Sequence, residues 1–464
     1  MTSHNLNQTG SPDRPAPGCT ITADVAIIGG GVIGHSIAWE AKRSGRSVVV
    51  IDDAPGSGAS WAAAGMLAPV SELHYQEEDL LELMMDASAR WPRFAADLAG
   101  AAGADPGYLP TPTLAVGADA ADRQALLDLR AVQQANGLTV EPLTIREARR
   151  REALLSPAIA CALDTPGDHQ VNPRLLLQCL RRVLSGDSGA TGSGAPFTAG
   201  AVDGYAVPDR AAGLLWQDGA VAGVHLEGGG TVLARETVVA NGLQAGALAG
   251  LPDGLHLPLR PVHGDILRLT VPAHLRPLVT ATVRGLVRGV PVYIVPRQDG
   301  TVVIGATQRE DALGQDSGSS AGAVSAGGVY QLLRDAQVLV PAVAELELME
   351  CTARARPGTP DNAPLLGRVP AGGSAGGRQP GRGRQGPAEP PNVEGLIIAT
   401  GFFRHGVLLA PAAAAICRGL LDGTEDQRWA AFNPARFSGG AARTHPHAAG
   451  ALAGAAGMNT KETA

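Results

Sequence analysis

Uninterrupted apolar runs mark the strands that this chain buries most deeply. Residues 25–28 form one such run, and residues 47–51 and 395–401 contain two more. A strand that is apolar at nearly every position is buried on both faces, which is typical of a parallel sheet covered by helices. A helix is predicted over residues 36–43, after the first run. Another is predicted over residues 407–421, after the last. The pattern indicates an α/β fold.

The middle of the chain combines helical spacing with strand-like patterns. Apolar residues at helical spacing predict four further helices, at residues 79–98, 121–136, 172–184 and 329–339. Residues 258–307 are rich in β-branched residues and predict strands at 265–271, 290–295 and 301–305, with a hairpin turn at 298–300. This pattern indicates a second, β-rich unit beside the α/β unit.

Glycines follow the first buried strand in a G-x-G-x-x-G pattern. Gly29 permits a tight turn, Gly31 lets the backbone approach a pyrophosphate, and Gly34 lets the helix pack on the strand. The N-terminus of that helix offers unpaired N–H groups to phosphates. Asp52 ends the second strand and is placed to bind a ribose diol. A glycine-rich turn alone is an alternative, but the order strand, helix, strand and acid favours a dinucleotide.

The composition excludes several classes of protein. The chain has 464 residues and a net charge of -7, which favours neither nucleic acid nor an anionic membrane as a partner. Its five cysteines lack C-x-x-C spacing, so a zinc site is not expected and reduced thiols are. No signal sequence or membrane-spanning run is recognised, and a cytoplasmic protein is predicted. Lys42 and Lys461 are the only lysines, which argues against pyridoxal chemistry and a P-loop.

Several motifs occur together in one order along the chain. They are the glycine fingerprint, residues 62–67, residues 293–297 with 305–307, a predicted turn at 356–361, and residues 401–411. In this order they resemble the glycine-oxidising branch of the flavin-dependent D-amino acid oxidase family. The resemblance covers residues 23–435. It implies a Rossmann-like FAD-binding domain with an inserted antiparallel β-sheet substrate domain.

The resemblance also implies which residues hold non-covalent FAD. These are Gly29, Gly31, Val32, Ile33, Gly34, Asp52, Ala64, Gly65, Met66, Ala212, Gly401, Arg404, His405, Gly406, Val407 and Leu408. Cys351 lies near the position where sarcosine oxidases attach flavin covalently, but about three residues too early. The start of the last helix would stabilise negative charge on the reduced ring.

The substrate residues implied by the resemblance are Arg356, Tyr293 and Arg404. Arg356 would bind the amino-acid carboxylate through two parallel hydrogen bonds, Tyr293 would add a third, and Arg404 would lie nearby. Alternatives are a surface ion pair for Arg356, an ordinary strand position for Tyr293 and a structural role for Arg404. No residue is assigned as an acid or base, and no metal is expected. Gln308 follows the 305–307 motif and leaves the side-chain preference open.

The implied function is the oxidation of glycine to an imine and then glyoxylate, with production of hydrogen peroxide. In the family the imine supplies the thiazole of thiamine. Alternatives are a sarcosine or D-amino acid oxidase or dehydrogenase, an NAD-dependent dehydrogenase, and a non-enzymatic flavin-binding interaction protein. The expected partners are a small amino acid and molecular oxygen, with a homotetramer as the oligomer that relatives suggest.

The domain limits are predicted as follows. The FAD-binding domain comprises residues 21–100, 169–256 and 350–436, and the substrate domain comprises 101–168 and 257–349. Disorder is expected at residues 1–20 and 437–464 because both segments are polar or rich in alanine and glycine. Residues 371–391 are predicted to be a flexible insertion.

Overall fold

The structure is a computed structural model that describes residues 15, 17–73, 77–186, 204–310, 323–372 and 391–438. Most of the two predicted disordered ends and of the predicted insertion at 371–391 lies outside these ranges.

The described residues form nineteen strands and eight α-helices. The strands are β1 (Thr20–Ile28), β2 (Val48–Ile51), β3 (Met66–Leu67), β4 (Tyr108–Leu109), β5 (Thr113–Gly117), β6 (Glu141–Leu143), β7 (Cys161–Thr165), β8 (His169–Val171), β9 (Ala206–Val207), β10 (Ala211–Gln217), β11 (Ala220–Leu226), β12 (Thr231–Val239), β13 (Arg260–Thr270), β14 (Thr282–Val287), β15 (Val290–Pro296), β16 (Thr301–Gly305), β17 (Glu347–Gly358), β18 (Leu365–Pro370) and β19 (Asn392–Thr400). The helices are α1 (Val32–Arg43), α2 (Ala59–Ala62), α3 (Glu78–Ala102), α4 (Ala120–Ala135), α5 (Ile145–Arg151), α6 (Pro173–Ser185), α7 (Ala326–Leu339) and α8 (Ala410–Leu421).

The first large sheet has a parallel centre. Strand β1 lies between β2 and β12, and β9 and β19 extend the parallel part on either side. Strand β12 pairs with β11 along its first half and with β19 along its second half. Helices α1, α3, α6 and α8 pack together against this sheet, with Trp91 and Phe94 of α3 in the shared core. The predicted α/β unit is therefore confirmed.

The second large sheet has the order β17-β13-β16-β15-β14-β5-β7-β6. Its pairs are antiparallel except for β14 with β5, which run parallel. Helix α7 packs on the sheet through Leu332 and Leu339, which are fully buried. Strand β17 stays in this sheet to residue 358, past the predicted domain limit at 350. The exact domain limits remain a prediction.

Most predicted elements are confirmed, with shifted ends. The strand predicted over 301–305 has those bounds, and Pro173 is the first residue of α6 as predicted. The α-helix predicted from residue 407 begins at Ala410, because a 3-10 turn at Phe403–His405 and a further turn precede it. The predicted turn at 356–361 is partly wrong, since Arg356 lies in the last residues of β17. Among the described helices, none combines the length and the apolar character that a bilayer span requires.

Candidate active site

A cavity of about 1020 Å³ is lined by residues from both large sheets. Two parts of its lining matter here. The glycine-loop region comprises Gly29, Gly31, Val32, Ile33, Asp52 and Ala212. The arginine region comprises the lining residues Glu72, Glu77, Arg260, Arg284, Tyr293, Arg356 and Arg404. The cavity is as large as the larger small-molecule sites of proteins, which span roughly 300–1,000 Å³.

Two glycines of the loop, Gly29 and Gly34, lie where the surrounding backbone leaves no room for a side chain. Gly29 has φ +107°, and a Cβ there would lie 2.6 Å from the carbonyl oxygen of Ala240. A Cβ on Gly34 would lie 1.9 Å from the carbonyl oxygen of Gly29, so Gly34 supports the loop from behind and does not line the cavity. At Gly31 the nearest atom to a Cβ is Ser60 Oγ, at 3.3 Å. Gly31 is thus the glycine whose surroundings leave space for a ligand.

Helix α1 starts at this loop and directs its N-terminus at the cavity. Val32 and Ile33, its first two residues, line the cavity. The N–H of Val32 donates to Ser60 Oγ at 3.0 Å, which ties α1 to α2. The partial positive charge of a helix N-terminus favours an anion at this place.

Asp52 follows strand β2 and lines the same region. Its carboxylate accepts hydrogen bonds from the N–H of Gly30 at 2.6 Å and of Ala54 at 2.8 Å. Burial raises the pKa of Asp52, and these two N–H donors act against that shift. The carboxylate is therefore held rigidly beside the glycine loop, and its remaining lone pairs can accept hydroxyl donors. Ala212 in β10 also lines the cavity.

The segment Ala64, Gly65 and Met66 lines the cavity with its backbone close to strand β8. Gly65 has φ +75°, and a Cβ there would lie 2.0 Å from the carbonyl oxygen of Val171. The carbonyl of Ala64 accepts a hydrogen bond from the buried guanidinium of Arg297. These contacts fix a flat wall of backbone that a side chain at position 65 would displace.

A second backbone wall comes from the segment between β19 and α8. Gly401 has φ +73° and lines the cavity together with Arg404, Gly406 and Val407. The helical pattern then continues with the N–H of Leu409, which donates to the carbonyl of His405 at 2.9 Å. The start of a helical segment therefore faces the cavity.

Two of the predicted residues of this segment do not line the cavity. The side chain of His405 is buried, and its Nδ1 lies 3.2 Å from Oε2 of Glu72. Leu408 is also buried, and its carbonyl accepts a hydrogen bond from Trp91 Nε1 at 2.8 Å. These two residues hold the segment in place from behind.

Arg356 projects from strand β17 across the neighbouring strand β13. A Cβ on Gly264 would lie 2.3 Å from one guanidinium nitrogen of Arg356, so the side chain rests flat on that glycine. Within the described ranges, the guanidinium of Arg356 has no hydrogen bond and no ion pair. A charged group that lines a cavity without a partner is placed to bind an anionic ligand.

Tyr293 lies beside Arg356 in the lining. Its ring covers Gly305 of the paired strand β16, where a Cβ would lie 2.3 Å from the phenolic oxygen. Burial raises the pKa of Tyr293, and the nearby charge of Arg356 lowers it in part. The hydroxyl is therefore a neutral donor at physiological pH.

Arg404 lines the cavity, but its guanidinium is already engaged. Its Nη2 lies 2.5 Å from Oε2 of Glu77, whose Oε1 accepts from Asn362 at 3.2 Å. The predicted contact between Arg404 and the substrate therefore remains a prediction, and the structure pairs this arginine with a carboxylate instead.

Glu72, Glu77 and Arg284 also line the cavity, and the sequence alone does not predict them. Glu72 accepts a hydrogen bond from Nη1 of Arg284 at 2.8 Å, across 212 positions of the chain. Burial raises the pKa of Glu72, but Arg284, His405 and Arg404 lower it by more, so its net pKa lies below the usual range. The sequence gives only a weak signal for these residues, because the spacing of two glutamates shortly after the 62–67 motif does not indicate which arginines they contact.

The chain matches known proteins over most of its length. The sequence model of a family described as FAD dependent oxidoreductase matches residues 24–418. A glycine oxidase of Geobacillus kaustophilus is 31% identical over 425 residues, which cover 89% of this chain and 96% of that protein. The crystal structure of glycine oxidase from the same organism superposes with a TM-score of 0.72 at 28% identity, over 90% of this chain and 99% of that one.

A fused relative is also similar. The bifunctional protein ThiO/ThiG of Trichormus variabilis is 30% identical over 425 residues, which cover 91% of this chain. The chain spans 56% of the length of that bifunctional protein.

Proposed function

This chain belongs to the FAD dependent oxidoreductase family, and on that basis we propose that it oxidatively deaminates glycine. In the overall reaction glycine, water and oxygen give glyoxylate, ammonia and hydrogen peroxide. The observation that carries the proposal is the guanidinium of Arg356, which lines the cavity with no partner among the described residues. Its planar pair of donors suits a carboxylate. The glycine oxidase relative supports glycine as the substrate.

The residues of the cavity fit FAD as the cofactor. A Cβ at Gly29 or Gly34 would meet protein backbone, so these glycines allow the tight turn and close packing of the loop, and Gly31 lines the cavity where the backbone can approach a pyrophosphate. The N-terminus of α1 is placed to stabilise the phosphates, and the Asp52 carboxylate can accept hydrogen bonds from a ribose. Gly65 and Gly406 belong to the two backbone walls that would hold the flavin ring.

Bound FAD supplies an acceptor for the hydride of the substrate α-carbon and delivers the electrons to oxygen. The protein contributes orientation. Arg356 would hold the two carboxylate oxygens through its paired N–H groups, and Tyr293 would donate a further hydrogen bond. A carboxylate fixed at two points would restrict the orientations open to the α-carbon, which would lower the entropy cost of reaching the reactive geometry.

No side chain is needed as a base in this scheme. The substrate amine must be neutral when the hydride leaves, because its lone pair stabilises the cationic carbon that becomes the imine. Activity should therefore fall as the pH is lowered and the amine is protonated. The segment at Gly406 and Val407 would stabilise negative charge on the reduced ring through the dipole of the helical turn that starts there.

The product also suggests a biosynthetic role. The similarity to bifunctional ThiO/ThiG proteins supports the proposal that the imine formed from glycine is used to build the thiazole of thiamine. The domain limits, the cytoplasmic location and the homotetramer remain predictions from the sequence.

A peroxide assay on the purified flavoprotein tests the proposal. Glycine, sarcosine and D-alanine should be compared at several concentrations, and the rate constant of flavin reduction should be measured without oxygen. We expect glycine to reduce the flavin and to generate peroxide with the highest kcat/KM of the three. A higher kcat/KM for sarcosine or D-alanine would assign the enzyme to another branch of the family. Reduction of the flavin without peroxide in air would make it a dehydrogenase.

A further inference from the structure

The arginine region holds more positive charge than one carboxylate needs. Four of its lining residues are arginines, and among the described residues three of them have side-chain partners. Arg260 contacts Glu310 and Asn362, Arg284 contacts Glu72, and Arg404 contacts Glu77. Arg356 has none. Two of the three partner carboxylates, those of Glu72 and Glu77, line the cavity themselves. The cavity therefore contains its own counter-ions.

Glu72 is the one of these two carboxylates that pairs with Arg284. It lies in the short turn that follows residue 69, and the buried Asp168 accepts the N–H groups of Val70 and Ser71 at 2.9 Å each. The side chain of Glu72 is 11% exposed, and that of Arg284 is 21% exposed. Arg284 lies directly opposite Tyr293 in the β14–β15 pair, and Tyr293, Arg356 and Glu72 line the same cavity, so the three charges lie in one part of the site.

We propose that Glu72 limits the substrate to amino acids with a single carboxylate. By pairing with Arg284, it leaves Arg356 as the guanidinium for that carboxylate and disfavours amino acids that carry a second one. This inference rests on the proposed function, since it concerns which amino acids reach the same site. Glu72 does not react. It is a specificity-determining residue that acts through Arg284.

The physical reason is a competition for Arg284. In the native protein a second substrate carboxylate would have to replace Glu72 or lie beside it, and like charges at close range in a partly buried site repel. Without the charge of Glu72, Arg284 would offer a charged donor to that second carboxylate. A hydrogen bond to a charged group corresponds to about tenfold to a hundredfold in affinity.

Substrate pairs that differ by one carboxylate test this inference. Sarcosine and iminodiacetate form one pair, because iminodiacetate carries a carboxylate on the N-methyl carbon of sarcosine. D-alanine and D-aspartate form another. The quantity measured is the ratio of kcat/KM for the dicarboxylate to that for the monocarboxylate, by peroxide release from the holoenzyme.

We expect Glu72→Gln to raise this ratio about tenfold or more, mainly through a lower KM for the dicarboxylate. The double variant Glu72→Gln, Arg284→Met should lose that gain, since the freed guanidinium is gone. The matched control is Glu236→Gln, because Glu236 pairs with Arg368 at 2.7 Å with similar burial and neither residue lines the cavity. An unchanged ratio in Glu72→Gln, or a gain that survives in the double variant, would overturn the inference.

A second variant covers the case in which Glu72→Gln does not fold. Arg284→Met removes the arginine partner of Glu72, so that among the described residues its carboxylate keeps only the contact with His405. Binding of acetate and of malonate to the oxidised flavoprotein can be followed by the change in flavin absorbance. Both should weaken, and malonate should weaken more. Equal losses for the two anions would contradict the role of Glu72.

The same binding measurement separates the two proposals. If glycine does not reduce the wild-type flavin, the proposed function fails. The relative affinity for malonate and acetate in wild type and variants still decides whether Glu72 disfavours ligands with a second carboxylate. If glycine reduces the flavin and the ratios do not change, only the inference about Glu72 fails.

Discussion

The glycine-loop region and the arginine region line one cavity but are built by different means. The first comes mostly from a short stretch of chain, Gly29 to Asp52, and its glycines lack side chains while Asp52 adds a carboxylate. The second is made of long charged side chains from distant strands and turns, such as Arg284 with Glu72 and Arg404 with Glu77. In the proposed function, the cofactor would be recognised largely by local geometry, whereas the substrate would be selected by a balance of charges that only the folded chain creates.

The largest effects are expected from alanine substitutions at two glycines of the loop, which should differ in what they impair. Gly34→Ala places a Cβ 1.9 Å from the carbonyl oxygen of Gly29, so backbone must move. We expect the free energy of unfolding of the apoprotein to fall by about 1–3 kcal/mol or more, and FAD to bind poorly. Gly31→Ala meets only Ser60 Oγ at 3.3 Å, so the apoprotein should unfold within about 0.5 kcal/mol of wild type while its affinity for FAD falls sharply.

Urea unfolding of the apoproteins and titration with FAD measure both quantities. Gly100→Ala is the control for the glycine change itself, because Gly100 is an exposed residue of α3 with no atom within 4 Å of a Cβ. It should stabilise the protein by about 0.5–1 kcal/mol. If Gly31→Ala binds FAD normally, the backbone at Gly31 does not contact the pyrophosphate of FAD as we propose.

The next effect concerns the arginine region alone. Arg356→Leu removes the guanidinium proposed to bind the carboxylate, and we expect kcat/KM for glycine to fall by about a hundredfold with little change in FAD affinity. Arg356→Lys should recover part of the loss, because an ammonium keeps the charge without the planar pair of donors. Steady-state kinetics and FAD titration of both variants check this. Glycine kinetics that match wild type in Arg356→Leu would remove the carboxylate assignment.

The same contrast explains what the sequence could predict. The glycine fingerprint and Asp52 lie within a short stretch, so their spacing could be interpreted without the fold. The three-dimensional partners of Glu72 and Glu77 are 212 and 327 positions away, and nothing local in a single sequence encodes such pairs. The family resemblance supplied Arg356, but not its environment.

Strand β17 was missed for a related reason. It lies at the edge of its sheet, and its first five residues are exposed or half-buried. It therefore lacks the apolar run or the clean alternation that marks a strand in sequence. Its last residues, which include Arg356, were interpreted as a turn. The strand forms because β13 pairs with it along its length, a tertiary interaction that local propensity does not contain.

The stability of the part of the fold beside the glycine loop should depend on pH through His35. His35 in α1 is buried, its Nδ1 lies 3.1 Å from the carbonyl oxygen of Gly31, and its Nε2 lies 3.3 Å from the hydroxyl of Tyr205. Burial lowers the pKa of His35 from 6.5 to about 4. Between these values the unfolded chain binds a proton that the folded chain does not, so stability falls as the pH drops from 6.5 toward 4.

The variant His35→Gln should reduce this loss of stability by about 1–3 kcal/mol between pH 7 and pH 4.5. Urea unfolding of the wild-type and variant apoproteins at both pH values measures it, and taking the difference removes the contributions of other titrating groups. An identical pH dependence in the two proteins would mean that His35 does not limit the acid stability of this region.

The smallest expected effect is in the arginine region, where Tyr293→Phe removes one neutral hydroxyl and leaves the ring over Gly305. A neutral hydrogen bond corresponds to about two- to tenfold in affinity, so KM for glycine should rise by about that factor while kcat changes less. Because burial raises the pKa of Tyr293, the difference between variant and wild type should not vary with pH from 6 to 9. A difference that disappears as the pH rises within that range would mean that the phenol ionises, and the neutral-donor role of Tyr293 would then be wrong.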